Sequence, residues 1–262
     1  MTLRLASFRT LCVPDPMLPL PSHDALDVPH GANFPDVFVR LHKRRAGSAG
    51  KTNDLRGGLA YTFIGNEISA LDLLLKVHPC VREVRCNYPL VLPRPPTRRG
   101  GRSSRPKMVL IDRMLTVVLK SRPDRWHLHA LFVQEKKLRL AEEFLSGFGA
   151  VSFELISISD LCRVEVRNAA QCYQWLLGLD IRELKEEAQH FATELQALYN
   201  RKRARAISLD AFIGKLASVM RCDRDHGYRL LGTAIVYGFV ELDHTDILWM
   251  PRPLKLREGS AS

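Results

Sequence analysis

The sequence predicts an α/β domain followed by a mainly helical domain that closes on a β-hairpin. Three observations carry this expectation. From Gly65 onward apolar residues recur at helical spacing and then in short strand-like runs. Between two of those runs, residues 94–107 form a Pro/Gly/Ser-rich loop with Arg94, Arg98, Arg99, Arg102, Arg105 and Lys107 and no acid. Beyond Asp180 the pattern turns helical over three successive stretches.

Residues 1–56 read as an extended, flexible arm. Pro14, Pro16, Pro19, Pro21 and Pro29 break any helix, and Lys43-Arg44-Arg45 opens a charged stretch. Ile68, Leu71, Leu74 and Leu75 define a helix that Pro79 stops. Val81 to Leu92 reads as a strand, and two short strands follow at 107–111 and 115–120. Leu128, Leu131, Leu138, Ala141, Leu145 and Phe148 line one face of a helix ending near Gly149. A strand at 151–158 and a short helix at 168–177 complete an α/β domain over 57–178.

The second domain spans 180–255. Leu184, Ala188, Phe191, Leu195 and Leu198 mark its first helix. Ser208 is suited to cap a second, with Leu209, Phe212, Ile213, Leu216 and Val219 inward. Asp225 opens a third, with Tyr228, Leu231 and Ile235 inward and Gly238 at its end. Phe239–Leu242 and Ile247–Met250 flank Asp243-His244-Thr245-Asp246 as a hairpin. Three helices and a hairpin describe a winged helix, with residues 256–262 as a tail.

The 262 residues carry 39 Lys+Arg against 28 Asp+Glu, a net charge of +11 that suits a polyanion. Nucleic acid is favoured over membrane, because no lipidation motif or long basic amphipathic helix accompanies the charge. The six cysteines are scattered through apolar stretches as reduced core cysteines are, and none forms a CxxC pair. No His or Cys cluster has zinc-ligand spacing. His127-x-His129 comes nearest and reads as structural. Arg4 and Arg9 interrupt the N-terminal apolar residues, and no uncharged apolar run reaches 18 residues, so a cytoplasmic protein is expected.

Several segments resemble TnsA, the endonuclease subunit of heteromeric transposases of the Tn-seven type. Asn66-Glu67-Ile68 through Lys76, then Val81-Arg82-Glu83-Val84-Arg85 and Tyr88-Pro89-Leu90, resemble that family's glutamate helix and the strand after it. Arg105-Pro106-Lys107-Met108-Val109-Leu110 is similar to its T-P-D-F-L-V strand, and Tyr237-Gly238-Phe239-Val240 to a segment of its winged helix. The resemblance is diffuse and covers roughly residues 57–255. It implies a restriction-endonuclease-like, PD-(D/E)xK domain, in which an acid on each of two strands holds Mg²⁺ and a lysine follows two residues beyond the second acid.

Carried over, the resemblance puts Glu67 in the helix-carboxylate slot, Lys107 and Val118 in the strand-acid slots, and Lys120 in the lysine slot. A unit-charge pair at about 4 Å and an effective dielectric near 20 is worth roughly 4 kcal/mol, so a lysine in place of an aspartate beside a dication expels it. A rival register takes Asp112 as the aspartate and Gln134 with Lys136 as the second element, around Mg²⁺. The first register is favoured because Gln134–Lys136 falls inside the helical stripe from Leu128 to Phe148. It implies a DNA-binding subunit with an inactivated site and no metal, acting with a DDE transposase and an AAA+ ATPase. Arg98, Arg99, Arg102 and Arg105 are its duplex-DNA contacts. An active endonuclease and an unrelated winged-helix regulator are the alternatives.

Overall fold

The computed structural model describes residues 3–31, 49–52, 55, 61–64, 66–92, 108–201 and 205–257. The chain is α/β and divides into two compact units. The first holds Met1–Thr52, Leu59–Thr62 and Cys80–Ile158; the second holds Asn53–Gly58, Phe63–Pro79 and Ser159–Ser262. The boundary expected at 178–180 therefore falls at 158–159. The predicted glutamate helix also joins the second unit, because Val77, Leu73 and Leu74 pack in the same apolar cluster as Cys172 and Leu176.

In chain order the first unit contains α1 (Phe8–Leu11), β1 (Ala49–Thr52) and β2 (Tyr61–Ile64, shared at the boundary). The second unit takes the next helix, α2 (Asn66–Val77). A four-stranded mixed sheet then follows in the first unit: β3 (Glu83–Val91), β4 (Met108–Leu119), β5 (Arg122–Phe132) and, after α3 (Glu135–Ser146), β6 (Val151–Leu155). Strand order is β3-β4-β5-β6, with β3/β4 and β4/β5 antiparallel and β5/β6 parallel. Parallel neighbours need a crossover, and α3 supplies it. Leu128, Ala130 and Phe132 of β5 meet Ala141 and Leu145 of α3 in one apolar cluster with Val109 and Ile111 of β4.

Two strand-level expectations change. The two short strands at 107–111 and 115–120 are one continuous strand, β4, with no turn at Asp112. The helix expected from Leu128 begins only at Glu135, because 127–132 is the end of β5. Leu128 and Leu131 sit at a helical interval, yet both are buried on opposite faces of a strand that is covered on both sides. In β3 a left-handed residue, Asn87 at φ 52°, interrupts the ladder opposite Asp112. Arg85 and Tyr88, three apart, would alternate faces in a regular strand; across this kink both reach Asp24.

The arm expected over 1–56 is folded over residues 3–31. Leu3, Phe8 and Cys12 are buried. Cys12 bridges Leu119, Val13 N–H donates to Val118 O at 2.8 Å, and Lys120 N–H donates to Leu11 O at 2.8 Å. Residues 11–13 thus extend the sheet where β3, whose ladder stops at Thr116, no longer covers β4. The prolines there suit a strap of irregular backbone, which is why no periodicity announced its order.

The second unit consists of α2, α4 (Arg163–Leu176), α5 (Lys185–Tyr199), α6 (Leu209–Met220) and α7 (Arg224–Tyr237). Ser208 caps α6 by accepting from Ala211 N–H at 3.3 Å, and Gly238, left-handed at φ 76°, ends α7. Helix α7 is the centre of this unit: Gly227, Tyr228 and every residue from Leu230 to Tyr237 are buried. A Cβ on Gly227 would lie 2.9 Å from Ile213 Cγ2 and one on Gly232 3.1 Å from Leu176 Cγ, so bare backbone sets how closely α6 and α4 approach it.

The hairpin expected from 239–242 and 247–250 is differently paired. Leu242 bridges Leu256, and Ser208 bridges Pro253. Asp243 N–H donates to Lys255 O at 3.0 Å, and Leu209 N–H to Arg252 O at 2.7 Å. Ile247–Met250 is instead a loop clamped by Asn168, which donates to Asp246 O at 3.1 Å and accepts from Leu248 N–H at 2.7 Å. The apolar run 247–250 is not a strand signal, since Trp249 and Met250 are exposed.

Candidate functional site

Of the residues expected to form a remnant metal site, only Val118 and Lys120 have described side chains. Lys107 lies outside the described residues, as do Arg98, Arg99, Arg102 and Arg105. Glu67 is the second residue of α2, in the helical unit, and its side chain is outside what is described. Val118 is buried near the far end of β4, opposite Trp126. The stretch of strand from Met108 to Val118 is about 33 Å long. Lys120 sits at the exposed β4–β5 turn, where its Nζ reaches Arg9 O at 3.5 Å.

The rival set fares better. Pairing of β4 with β5 begins at Arg113 opposite Leu131, which brings Asp112 to the junction where β5 ends and α3 begins. The Asp112 carboxylate accepts from Val133 N–H at 2.9 Å through Oδ2, and its Oδ1 is ion-paired with the Lys137 ammonium. Gln134 is the residue capping α3, though its side chain makes no cap bond, and Lys136 is exposed. Lys137 therefore fills the place expected for Lys136. In the first turn of α3, it reaches back over the helix N-terminus to the strand.

This donor set does not fit a divalent cation. One carboxylate oxygen carries an ammonium and the other a backbone N–H. Among the described residues no group of three His, Cys, Asp or Glu side chains is placed to hold a metal ion. A hard dication needs several oxygen ligands, and a resident cation on the one available carboxylate opposes a second. Asp112 instead ties the start of α3 to β4 by satisfying an N–H and drawing in a cation.

On the other face of β5, sequence reasoning passed over a buried polar chain. His127 Nε2 and His129 Nδ1 each lie 2.8 Å from Ser152 Oγ, and His129 Nε2 lies 3.4 Å from Glu154 Oε2. The register His129 opposite Ser152 in the β5/β6 pair sets this alignment. A carboxylate only accepts, so His129 carries its proton on Nε2. Its Nδ1 then accepts from the Ser152 hydroxyl, which in turn accepts from His127 Nε2–H. Burial pushes His127 down to about 4 and lowers His129 as well, so both stay neutral. Burial pushes the Glu154 carboxyl up, but the His129 and Leu5 hydrogen bonds outweigh it and hold it below the ordinary range. Leu5 N–H donates to Glu154 at 2.8 Å and Phe8 packs edge-on to His129, so this chain anchors the N-terminal segment. The alternation His127-x-His129 with Ser152-x-Glu154 is its only sequence signal.

A second buried network pins residues 24–31. Arg85 pairs with Asp24 at 2.7 Å and Glu83 at 3.3 Å, His30 lies 2.7 Å from Glu83, and Tyr88 donates to Asp24 at 2.9 Å. In the helical unit, the only exposed positions of α7 are Arg224, Asp225 and Arg229. Arg224 pairs with Asp210 at 2.8 Å, Arg252 and Lys255 with Asp246, and Arg257 with Glu241. Neither a family model nor a curated protein matches the chain.

Proposed function

We propose that this chain is a DNA-binding subunit of a transposition complex, built on the restriction-endonuclease-like scaffold that the TnsA resemblance implies and followed by a winged helix. It binds duplex DNA without cutting it, in the cytoplasm, alongside a DDE transposase and an AAA+ ATPase. The order helix, three strands, helix, strand, with its antiparallel, antiparallel, parallel pairing, supports the scaffold. The order α5, Ser208 bridge, α6, α7 and the paired segments at 241–243 and 255–257 supports the winged helix. Among the described residues no helix is long and apolar enough to cross a membrane.

The observation that carries the non-cleaving part is the Asp112–Lys137 pair, an ammonium on the β4 acid at the junction of β4, β5 and α3, where the other acid, Glu135, is paired with Arg139. The burial of α7 argues against base reading by that helix, since a recognition helix needs an exposed face in the major groove. That leaves the helical unit for protein contacts, with the exposed Trp249 and Met250 loop as its contact to the ATPase. A second reading, an active nuclease around Asp112 with Lys137 in place of Lys136, is favoured by the same junction and opposed by the cations that already occupy its two acids, Lys137 on Asp112 and Arg139 on Glu135. Duplex binding assayed with cleavage in Mg²⁺ or Mn²⁺ tests the proposal: binding without nicking is expected, and metal-dependent nicking overturns it.

A further inference from the structure

We propose that the tip of the β4–β5 hairpin is a phosphate-backbone contact, so that Lys120, Arg122 and Arg125 form a DNA-binding site distinct from the arginine loop at 94–107. The inference rests on the reading that the chain binds DNA, and it adds a place where it does so. The tip has an unusual geometry. Leu119 pairs with Arg122 across a two-residue turn, Lys120-Ser121, whereas Val118 pairs with Trp126. Pro123, Asp124 and Arg125 therefore have no partner on β4 and bulge outward, and residues 120–125 are all exposed. A bulge re-aims side chains and bends the ladder, and Pro123 cannot donate to one.

Three cations and one acid, Asp124, occupy this tip. Among the described residues none of Lys120, Arg122 or Arg125 has an acidic partner within ion-pair distance; Lys120 reaches only the Arg9 carbonyl. Among the described residues several exposed arginines are paired internally, as at Arg139–Glu135, Arg182–Asp180, Arg224–Asp210 and Arg257–Glu241, while others such as Arg163, Arg167 and Arg229 are scattered singly on helices and not gathered on one tip. Cations left without an internal partner keep their full charge for an external anion. The base of the hairpin is braced: Lys120 N–H on Leu11 O, Val13 N–H on Val118 O, and Trp126 Nε1 donating to Pro19 O at 3.0 Å. A braced tip presents its charges with little further ordering needed on binding.

The chemistry of the tip selects among anions. Two guanidinium forks suit phosphate oxygens. A membrane surface would call for more cations and an apolar anchor, and 120–125 holds no large apolar residue. A duplex backbone, with a regular row of phosphates and no requirement for sequence, fits a projecting tip that carries no base-reading amide.

The test uses the full chain and a fluorescent duplex oligonucleotide, with binding measured by anisotropy across a potassium chloride series. Three variants are compared with the wild type: K120A/R122A/R125A, the charge-keeping K120R/R122K/R125K, and R98A/R99A/R102A/R105A. Removing one cation from a phosphate flattens the slope of log K against log salt by about 0.9. The alanine hairpin variant is expected to flatten it by about 2–3 units, and the charge-keeping variant to restore it. A wild type that binds with a slope unchanged in the hairpin variant, but flattened in the loop variant, overturns the hairpin site and leaves the DNA-binding reading standing. A wild type that does not bind the duplex overturns both. Weaker binding of the hairpin variant to phosphatidylserine vesicles, with the duplex slope unchanged, overturns the site in favour of a membrane. Because the substituted positions are exposed, an unchanged thermal midpoint shows that a flattened slope reflects the missing charges and not an unfolded chain.

Discussion

Lys137, in the first turn of α3, places its ammonium on Oδ1 of Asp112, while Val133 N–H holds Oδ2 of the same carboxylate at 2.9 Å. Strand β4 is thereby tied to the β5–α3 junction by one half-buried side chain, which explains how an acid sits stably inside a mostly apolar strand. The same pairing puts a cation on the carboxylate, which opposes a second one there. Two roles, anchoring and neutralisation, thus rest on a single ion pair.

If anchoring is its role, removing either partner leaves the other half-buried and unpaired. Asp112→Ala and Lys137→Ala are each expected to cost about 1–3 kcal/mol. The double variant should cost less than their sum, because the second change removes the group that the first orphaned. Urea unfolding of the four species of this cycle measures it. Strict additivity would show that the two side chains do not interact.

The histidine chain sets an acid limit on stability. His127 is held down to about 4 from an ordinary value of 6.5, so the unfolded chain binds the proton more readily than the folded one. The contribution is complete above about pH 6.5 and is lost as pH falls from there towards about 4, roughly 2 kcal/mol in all after allowing for solvent screening. Thermal melts between pH 7 and pH 4 should show a falling midpoint that His127→Gln or Ser152→Ala makes shallower. A flat profile in the wild type would mean that the two rings are not held neutral by burial.

Packing around α7 gives a third expectation. Gly232→Val places methyl groups where Leu176 lies 3.1 Å from the ideal Cβ, and Gly227→Val meets Ile213. Each is expected to lower stability by about 1–3 kcal/mol, as overpacking does. Gly149→Ala, at a position with nothing within 4 Å, serves as the neutral comparison. Equal midpoints for all three would show that the helices can move apart at little cost.

The fold was legible in the sequence where local chemistry and tertiary packing agree. Ser208 and Gly238 announced the ends of α6 and α7 because an N-cap oxygen and a left-handed glycine act within a few residues. Helix α7 starts at Arg224, one residue before the expected Asp225, because Asp223 is the N-cap that accepts from His226 N–H. Strand β5 resembles a helix in sequence because a strand buried on both faces shows no alternation, and Leu128, Leu131 and Leu138 fall at helical intervals by coincidence. The loop at 247–250 is held by Asn168, which is 78 residues from Asp246 in sequence, and no local signal contains that clamp. For the site, Asp112 was visible as a candidate acid between two short strands, but neither its place inside one strand nor its partner was. Lys136 and Lys137 are adjacent, and only the placement of the helix start decides which one turns inward.

Contact with an ATPase partner is expected to run through the loop after Asp246. Trp249 and Met250 are exposed between residues that Asn168 and the Asp246 ion pairs hold in place. Trp249→Ala with Met250→Ala should abolish co-purification with the ATPase while leaving duplex binding unchanged. Retained co-purification would move the interface elsewhere.

The central claim is that this chain binds duplex DNA without cutting it. Purified protein incubated with supercoiled plasmid in Mg²⁺ or Mn²⁺ measures this most directly, beside the Asp112→Ala variant and with the partner subunits present. The expected result is a shifted but fully supercoiled plasmid in every lane. Nicked or linear product from the wild type that disappears in Asp112→Ala would contradict the claim and make Asp112 the acid of a working nuclease.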